Sequence, residues 1–229
     1  MISVLIPLLA YMPYKEQIKT TIAGLSRQTA DLEIIVSEQP IVGKYDRICK
    51  GKLHNEGFAK STGDIIFHCD ADIIFNDETM LERMEAKLYG EDLDVIYPMF
   101  PSPRFGHLKL ADGHPFMRRE VRKEYGPIDE TLMGVSLQEF HILHWLYFNK
   151  RFHCSPEFVF ELNTEPFVKI AHKLDKSTKA RSFNIMKEVV AELEKEGVWQ
   201  TRPVLSVGVE AERPVSDTAR QTSTSGGLD

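Results

Sequence analysis

Cysteine is scarce in this chain. Cys49, Cys69 and Cys154 are odd in number and match no metal-binding spacing, which argues against a disulfide framework or a cysteine-built zinc site and for a reducing compartment. No apolar run approaches the roughly 20 residues that span a bilayer. Residues 1–10 are apolar but no basic segment leads them, and Pro7 interrupts the run, so a buried strand over residues 2–6 is expected there rather than a signal peptide. Basic excess is missing as well: the net charge is −6, which leaves no footprint for non-specific nucleic-acid binding. There is no internal repeat. A soluble, cytoplasmic protein is the expectation.

What is present is an ordinary globular composition, 42% hydrophobic and 27% charged over 229 residues, enough for one large α/β domain. A strand at residues 2–6, a helix with Ile18, Ile22 and Leu25 on one stripe over 13–28, and a strand at 31–37 make a βαβ unit. Such a unit implies parallel strands and a right-handed crossover. Ligands of these sheets sit beyond the carboxyl ends of the strands, which places residues 7–12 and 37–39 at the binding edge. A helix is expected over 45–61, carrying Arg47, Lys50, Lys52 and Lys60. Another, capped at Asn76, should run to Tyr89 with Met80, Met84 and Leu88 inward, followed by a strand at 93–99. Prolines and glycines break up residues 98–115; 116–126 reads as a helical turn or two ending at Gly126, and 137–148 as an apolar helix. Short strands follow at 151–155 and 158–162, and a last helix at 182–196. Residues 203–229 lose apolar pattern and are expected to be a disordered tail.

The chemistry concentrates in residues 63–75, Gly-Asp-Ile-Ile-Phe-His-Cys-Asp-Ala-Asp-Ile-Ile-Phe. The apolar run reads as a strand buried on both faces. Asp70 and Asp72 would share one face of it unless the strand has already turned. Two carboxylates there are costly unless something positive meets them, and a divalent cation bridging to a phosphate takes oxygen ligands. The plainer reading is a pair of aspartates capping a turn.

Residues 52–72, with Asn55, Gly57, Gly63 and Asp64 ahead of Asp70-Ala71-Asp72, resemble the corresponding segment of GT-A glycosyltransferases, family 2 in particular. Gly113-His-Pro-Phe, Tyr125-Gly-Pro and Met133-Gly-Val-Ser-Leu-Gln-Glu139 look like the galactosyltransferase-type (family 7-like) C-terminal segment, with Gln138-Glu139 in place of its acidic pair and Gly134 all that remains of its glycine-rich loop. The resemblance covers about residues 2–175. It implies an α/β fold of the GT-A (Rossmann-like) kind, a mostly parallel sheet flanked by helices, in a single domain over 1–202. Residues 1–97 form its nucleotide-binding half and 98–202 its acceptor half.

The same resemblance implies a metal-dependent, inverting sugar transfer from a nucleotide-diphosphate sugar, uridine-based, with Mn2+ or Mg2+ as cofactor. The acceptor could be a glycan, a lipid-linked sugar, a protein or a modified nucleic-acid base. Asp72 and His172 would ligate the metal, with a packing role the alternative for His172. Asp70 would contact the ribose, and Pro7, Glu38, Gln39 and Ala71 would line the nucleotide site. Arg47 and Lys52 would steer the diphosphate, or else be ordinary exposed helix residues. Glu139 is the expected general base. It could also close a capping box with Ser136. His141 and His144 read as packing or solvated residues, and Asn55 and Gly57 as shaping the turn and helix packing. The rival functions are a nucleotidyltransferase and an inactive sugar-nucleotide or partner-binding protein of this fold.

Overall fold

The computed structural model describes residues 1–10, 12–40, 48–101, 108–111, 113–130 and 137–163. Its frame is a seven-stranded sheet. β1 (Ile2–Leu9) lies between β2 (Leu32–Gln39) and β3 (Ile65–His68), parallel to both, with Ile2 opposite Leu32 and Ile65. β7 (Phe116–Arg118) runs antiparallel between β3 and β5 (Val95–Pro101). β6 (Leu108–Leu110) pairs antiparallel with the far end of β5, on the same edge as β7, and β8 (Phe152–Val159) pairs parallel on the other edge. β1, β2, β3, β5 and β8 therefore share one direction and only β6 and β7 oppose it. β4 (Ile73–Ile74) and β9 (Glu161–Leu162) form a separate two-stranded ribbon.

Alternation along the strands sorts the core into two layers. Ile2, Val4, Ile6, Ile65, Phe67 and Phe116 face α1 (Met12–Leu25) and α3 (Met80–Gly90), meeting Ile18, Leu25, Met80, Met84 and Leu88. Leu5, Ile66, Tyr97 and Met117 face the other layer, where Val121 of α4 (Arg119–Tyr125) and Ile142 and Leu146 of α5 (Leu137–Asn149) pack. α2 (Lys50–Lys60) lies on this second face, its Gly57 against Leu5 and Ser37. The chain crosses closely at Gly63, where a Cβ would come within 2.7 Å of the Met1 carbonyl and 2.8 Å of the Ser3 nitrogen.

Several expected boundaries move. The helix expected from residue 45 begins at Lys50, with Ile48 and Cys49 ahead of it not helical; 41–47 lie outside the described residues. The strand over 63–75 stops at His68, and residues 71–72 turn before β4. The first turn ahead of α3 is organised by Asp77, whose Oδ1 accepts the Thr79 backbone N–H (2.9 Å) and hydroxyl (2.8 Å); the helix cap is Thr79 and not Asn76. Residues 116–118 are a strand rather than helix, since Phe116 and Met117 are needed in the sheet. Gly126 ends α4 at φ 81°, a conformation natural to glycine. The helix expected at 182–196 and the tail expected at 203–229 lie outside the described residues. Among the described residues no helix is long and apolar enough to cross a membrane.

Candidate active site

The site forms where β3 ends and β7, α2 and α5 begin, at one edge of the sheet. β3 hands the chain to Cys69 and Asp70. Because β7 is antiparallel to β3, the residues that precede it, Gly113, His114 and Pro115, come to the same edge; His68 donates its backbone N–H to the Pro115 carbonyl at 3.1 Å. α2 starts there with Lys50, and the first turn of α5 brings Gln138 and Glu139.

One ammonium joins them. Lys50 Nζ donates to Asp70 Oδ2 at 2.7 Å and to Glu139 Oε1 at 2.6 Å. The three side chains are only 15%, 26% and 13% exposed for Lys50, Asp70 and Glu139, so these charge-assisted bonds are sheltered from water. His114 Nε2 stands 3.9 Å from the same Asp70 oxygen. Burial would raise the Asp70 pKa, but the Lys50 charge prevails and holds it down to about 2. Burial would likewise weaken the Lys50 ammonium, and the Asp70 and Glu139 carboxylates overrule it, holding its pKa above the usual lysine range.

Asp72 is two residues away and has the opposite environment. It sits in the turn after β3, held by the Thr21 hydroxyl, which donates to the carbonyls of Ala71 (2.8 Å) and Ile73 (2.9 Å), and by Asn163, whose N–H reaches the Asp72 carbonyl at 2.7 Å. Its carboxylate makes no ion pair among the described residues. Burial and then the Asp70 charge push its pKa up to about 6.

Two glycines let α5 approach. A Cβ at Gly51 would lie 2.8 Å from the Gln138 amide nitrogen, and one at Gly113 3.2 Å from the Glu139 carboxyl carbon. In the space so freed the Gly51 N–H donates to Gln138 Oε1 at 2.7 Å, pinning the start of α5 to the start of α2. Asn55 reinforces the same seam, accepting the Ile128 N–H (2.9 Å) and the buried Arg122 guanidinium (2.8 Å) and donating to the Ile128 carbonyl (2.9 Å). Behind Lys50 and Glu139 a small crevice is bounded by His54, His68 and Ile142. The two imidazoles stack at 4.0 Å, and His54 Nδ1 and His68 Nε2 are buried with no hydrogen-bond partner among the described residues. Burial lowers both pKa values, His54 to about 3.

The other expected site residues lie as follows. Ala71 is buried, and Pro7 lies inside β1, also buried, opposite Ser37. Glu38 pairs with Lys15 at 2.9 Å, and Gln39 Oε1 accepts the Cys49 N–H at 2.8 Å, tying the end of β2 to the start of α2. Lys52 points to solvent and meets Glu56 at 3.8 Å. His141 Nδ1 and the Tyr125 hydroxyl are hydrogen-bonded at 2.6 Å, a packing role. Arg47, Ser136 and His172 lie outside the described residues, and with Ser136 the capping-box alternative for Glu139.

No protein-family model matches the chain, and no curated protein sequence does. Solved structures do. TarS residues 1–349 from S. aureus, in complex with UDP, superposes with a TM-score of 0.57 over 73% of this chain and 62% of that one, at 13% identity. The mannosyltransferase PcManGT from Pyrobaculum calidifontis, with GDP-Man and Mn2+, gives 0.58 over 88% and 65%, at 13% identity. Glucosyl-3-phosphoglycerate synthase from Mycobacterium tuberculosis, with Mn2+, UDP-glucose and phosphoglyceric acid, gives 0.53 over 88% and 81%, at 14% identity. The chain has the GT-A fold. It spans less than two thirds of the first two of these structures.

Within the GT-A fold of this chain, Lys50 and the pinning residue Gln138 are what sequence reasoning missed. Lys50 was one of several basic residues on an expected helix, and only the helix starting at that residue aims it at Asp70. For Gln138 the available signal was its place beside Glu139, which suggested a weakened acidic pair rather than a bond to Gly51.

Proposed function

We propose that the chain is a glycosyltransferase of family 2-like type that moves a sugar from a nucleotide-diphosphate sugar, UDP-linked, to an acceptor hydroxyl with inversion. One observation carries this reading. A strand-end Asp70-Ala71-Asp72 and a helix-start Glu139, from opposite halves of the chain, meet at one sheet edge around a single lysine. Residues 1–97 then serve the donor and 98–202 the acceptor.

Asp70 accepts hydrogen bonds from the ribose, beside Glu38 and Gln39 at the end of β2. Glu139 takes the proton of the acceptor hydroxyl as its oxygen attacks the anomeric carbon from the face opposite the diphosphate. The bond from that carbon to the diphosphate oxygen breaks, and Lys50 offers positive charge to the leaving group. Arg47 and Lys52 add long-range attraction for the donor.

Asp72 suits a hard divalent cation. It supplies carboxylate oxygens, and its buried charge has no counter-ion among the described residues, a cost that a cation would cancel. No group of three His, Cys, Asp or Glu side chains that could hold an ion occurs among the described residues, so His172, water or donor oxygens would complete the set beside Asp72. Mn2+ or Mg2+, when bound, supplies charge neutralisation of the departing diphosphate.

The test is release of free nucleotide from UDP- and GDP-sugars with Mn2+, with a panel of acceptors. Asp72→Asn is expected to abolish the Mn2+-dependent part, and Glu139→Gln to slow transfer by about 10²–10⁴-fold while nucleotide binding survives. Turnover undiminished in Asp72→Asn would remove its metal role. Binding without turnover by the native protein would support an inactive sugar-nucleotide-binding protein instead.

A further inference from the structure

Lys50 is bound to two groups to which the proposed reaction gives different tasks, and an incoming diphosphate that draws its ammonium away must compete with both. Its Nζ is 2.7 Å from Asp70 on the donor side and 2.6 Å from Glu139 on the acceptor side. A carboxylate oxygen occupied by an ammonium is a poor acceptor for a second proton donor. With Lys50 in place, Glu139 Oε1 is occupied.

The surroundings allow the lysine to move while the frame stays. The backbone at the start of α2 is tied on both sides, by Cys49 N–H to Gln39 and Gly51 N–H to Gln138. A lysine carries a compact charge on a flexible four-carbon stem, so its ammonium can swing without the helix shifting. Two carboxylates, Asp70 and Glu139, hold this lysine, and an incoming diphosphate competes with each of them for the ammonium.

Resting on the glycosyltransferase reading, we propose that Lys50 is a transferable cation. It pairs with Glu139 while the donor site is empty, moves to the donor diphosphate as that binds, and so frees Glu139 Oε1 only when a nucleotide diphosphate is in place. Lys50 acts through Glu139 as a positioning residue and through the diphosphate as a binding one. Proton abstraction is thereby coupled to donor occupancy, by a side chain rather than by a loop.

Linkage makes this measurable, because coupling between two sites is reciprocal. If the donor must break the Lys50–Glu139 pair, removing the Glu139 charge must tighten nucleotide binding. Titration calorimetry with UDP and with GDP, each with Mn2+, is expected to show Glu139→Gln binding about fivefold tighter than the native protein. Lys50→Met should bind more weakly, and in the Lys50→Met/Glu139→Gln double variant the tightening should disappear. Circular dichroism confirms that each variant is folded. A crystal structure with UDP and Mn2+ provides a readout free of variants: the Lys50 ammonium should lie on a phosphate oxygen and more than about 4 Å from Glu139, beyond ion-pair range. Unchanged or weaker nucleotide binding by Glu139→Gln, or a Lys50–Glu139 pair that persists in the complex, overturns the transfer of Lys50 and leaves the glycosyltransferase reading standing. Failure of the native protein and every variant to bind either nucleotide overturns both.

Discussion

The two halves of the sheet are built by different rules. β2, β1 and β3 are parallel neighbours joined by helices; β1 and β3 are buried on both faces almost without interruption, and β2 at the edge is half-buried. β7, β5, β6 and β8 mix directions, and β7 and β6 are three residues each. The parallel half holds the aspartates at a strand end, where such sheets place ligands. Among the described residues the mixed half brings no strand-end acid to this edge. Its antiparallel β7 returns Gly113 and His114 to the active edge, and α5 then delivers Glu139. One half provides a platform and the other a reach, and the site exists only where they touch. Besides the β3–β7 ladder, the contact includes Lys50 to Glu139, Gly51 to Gln138, Asn55 to Ile128, and Phe67 edge-on to Phe116 with ring centres 5.9 Å apart.

Breaking that seam in its core should have the largest effect on stability. Phe116→Ala empties a fully buried position between β3 and β5 and is expected to cost about 3–5 kcal/mol in urea denaturation. Acid should come next. His54 and His68 are buried and neutral, with pKa values lowered from the ordinary 6.5, while in the unfolded chain they take up protons as soon as pH falls below that value. Their contribution is complete above pH 6.5 and is lost as pH falls, by up to about 1.4 kcal/mol per pH unit for each imidazole. Asp72, raised to about 6, works in the opposite sense below pH 6, but one carboxyl opposes two imidazoles. The melting temperature should drop between pH 7 and pH 5, and a flat profile would show that the imidazoles are not held neutral. Gly51→Ala sharpens the comparison more gently. Its new methyl group crowds Gln138 and the Asp129 carbonyl, with an expected loss of about 1–3 kcal/mol, and with α5 displaced, activity should fall further than stability. Lys52→Ala, on the exposed side of α2, should change stability by less than about 0.5 kcal/mol.

The parallel half was the more legible in sequence, and for a physical reason. A strand buried on both faces must be a continuous apolar run, so Ile2–Leu9 and Ile65–His68 announce themselves. The stripe of Met80, Met84 and Leu88 likewise placed α3 inward. The boundaries that moved did so where a tertiary partner competes with local preference. Phe116 and Met117 have helical neighbours in sequence yet pair with β3 and β5. The Asp77 side chain organised the turn that Asn76 was expected to cap. The strand through the aspartates broke at His68, because Thr21 captures the carbonyls of Ala71 and Ile73. Asp70 and Asp72 therefore do not repeat one another along a strand face, and they differ in charge environment as a result.

By itself the sequence determined the α/β class of fold, the central strand and the carboxylates that end it, because hydrophobic periodicity and the place of acidic residues along a strand are local properties of the chain. The tertiary structure alone decided which of the basic residues matters. Lys50 and Lys52 are two positions apart on one helix, about 200° of rotation at 3.6 residues per turn, so one enters the site and the other faces water. No local signal separates them. The separation comes from where α2 begins and from the docking of α5 on Gly51, contacts between residues that are 87 positions apart.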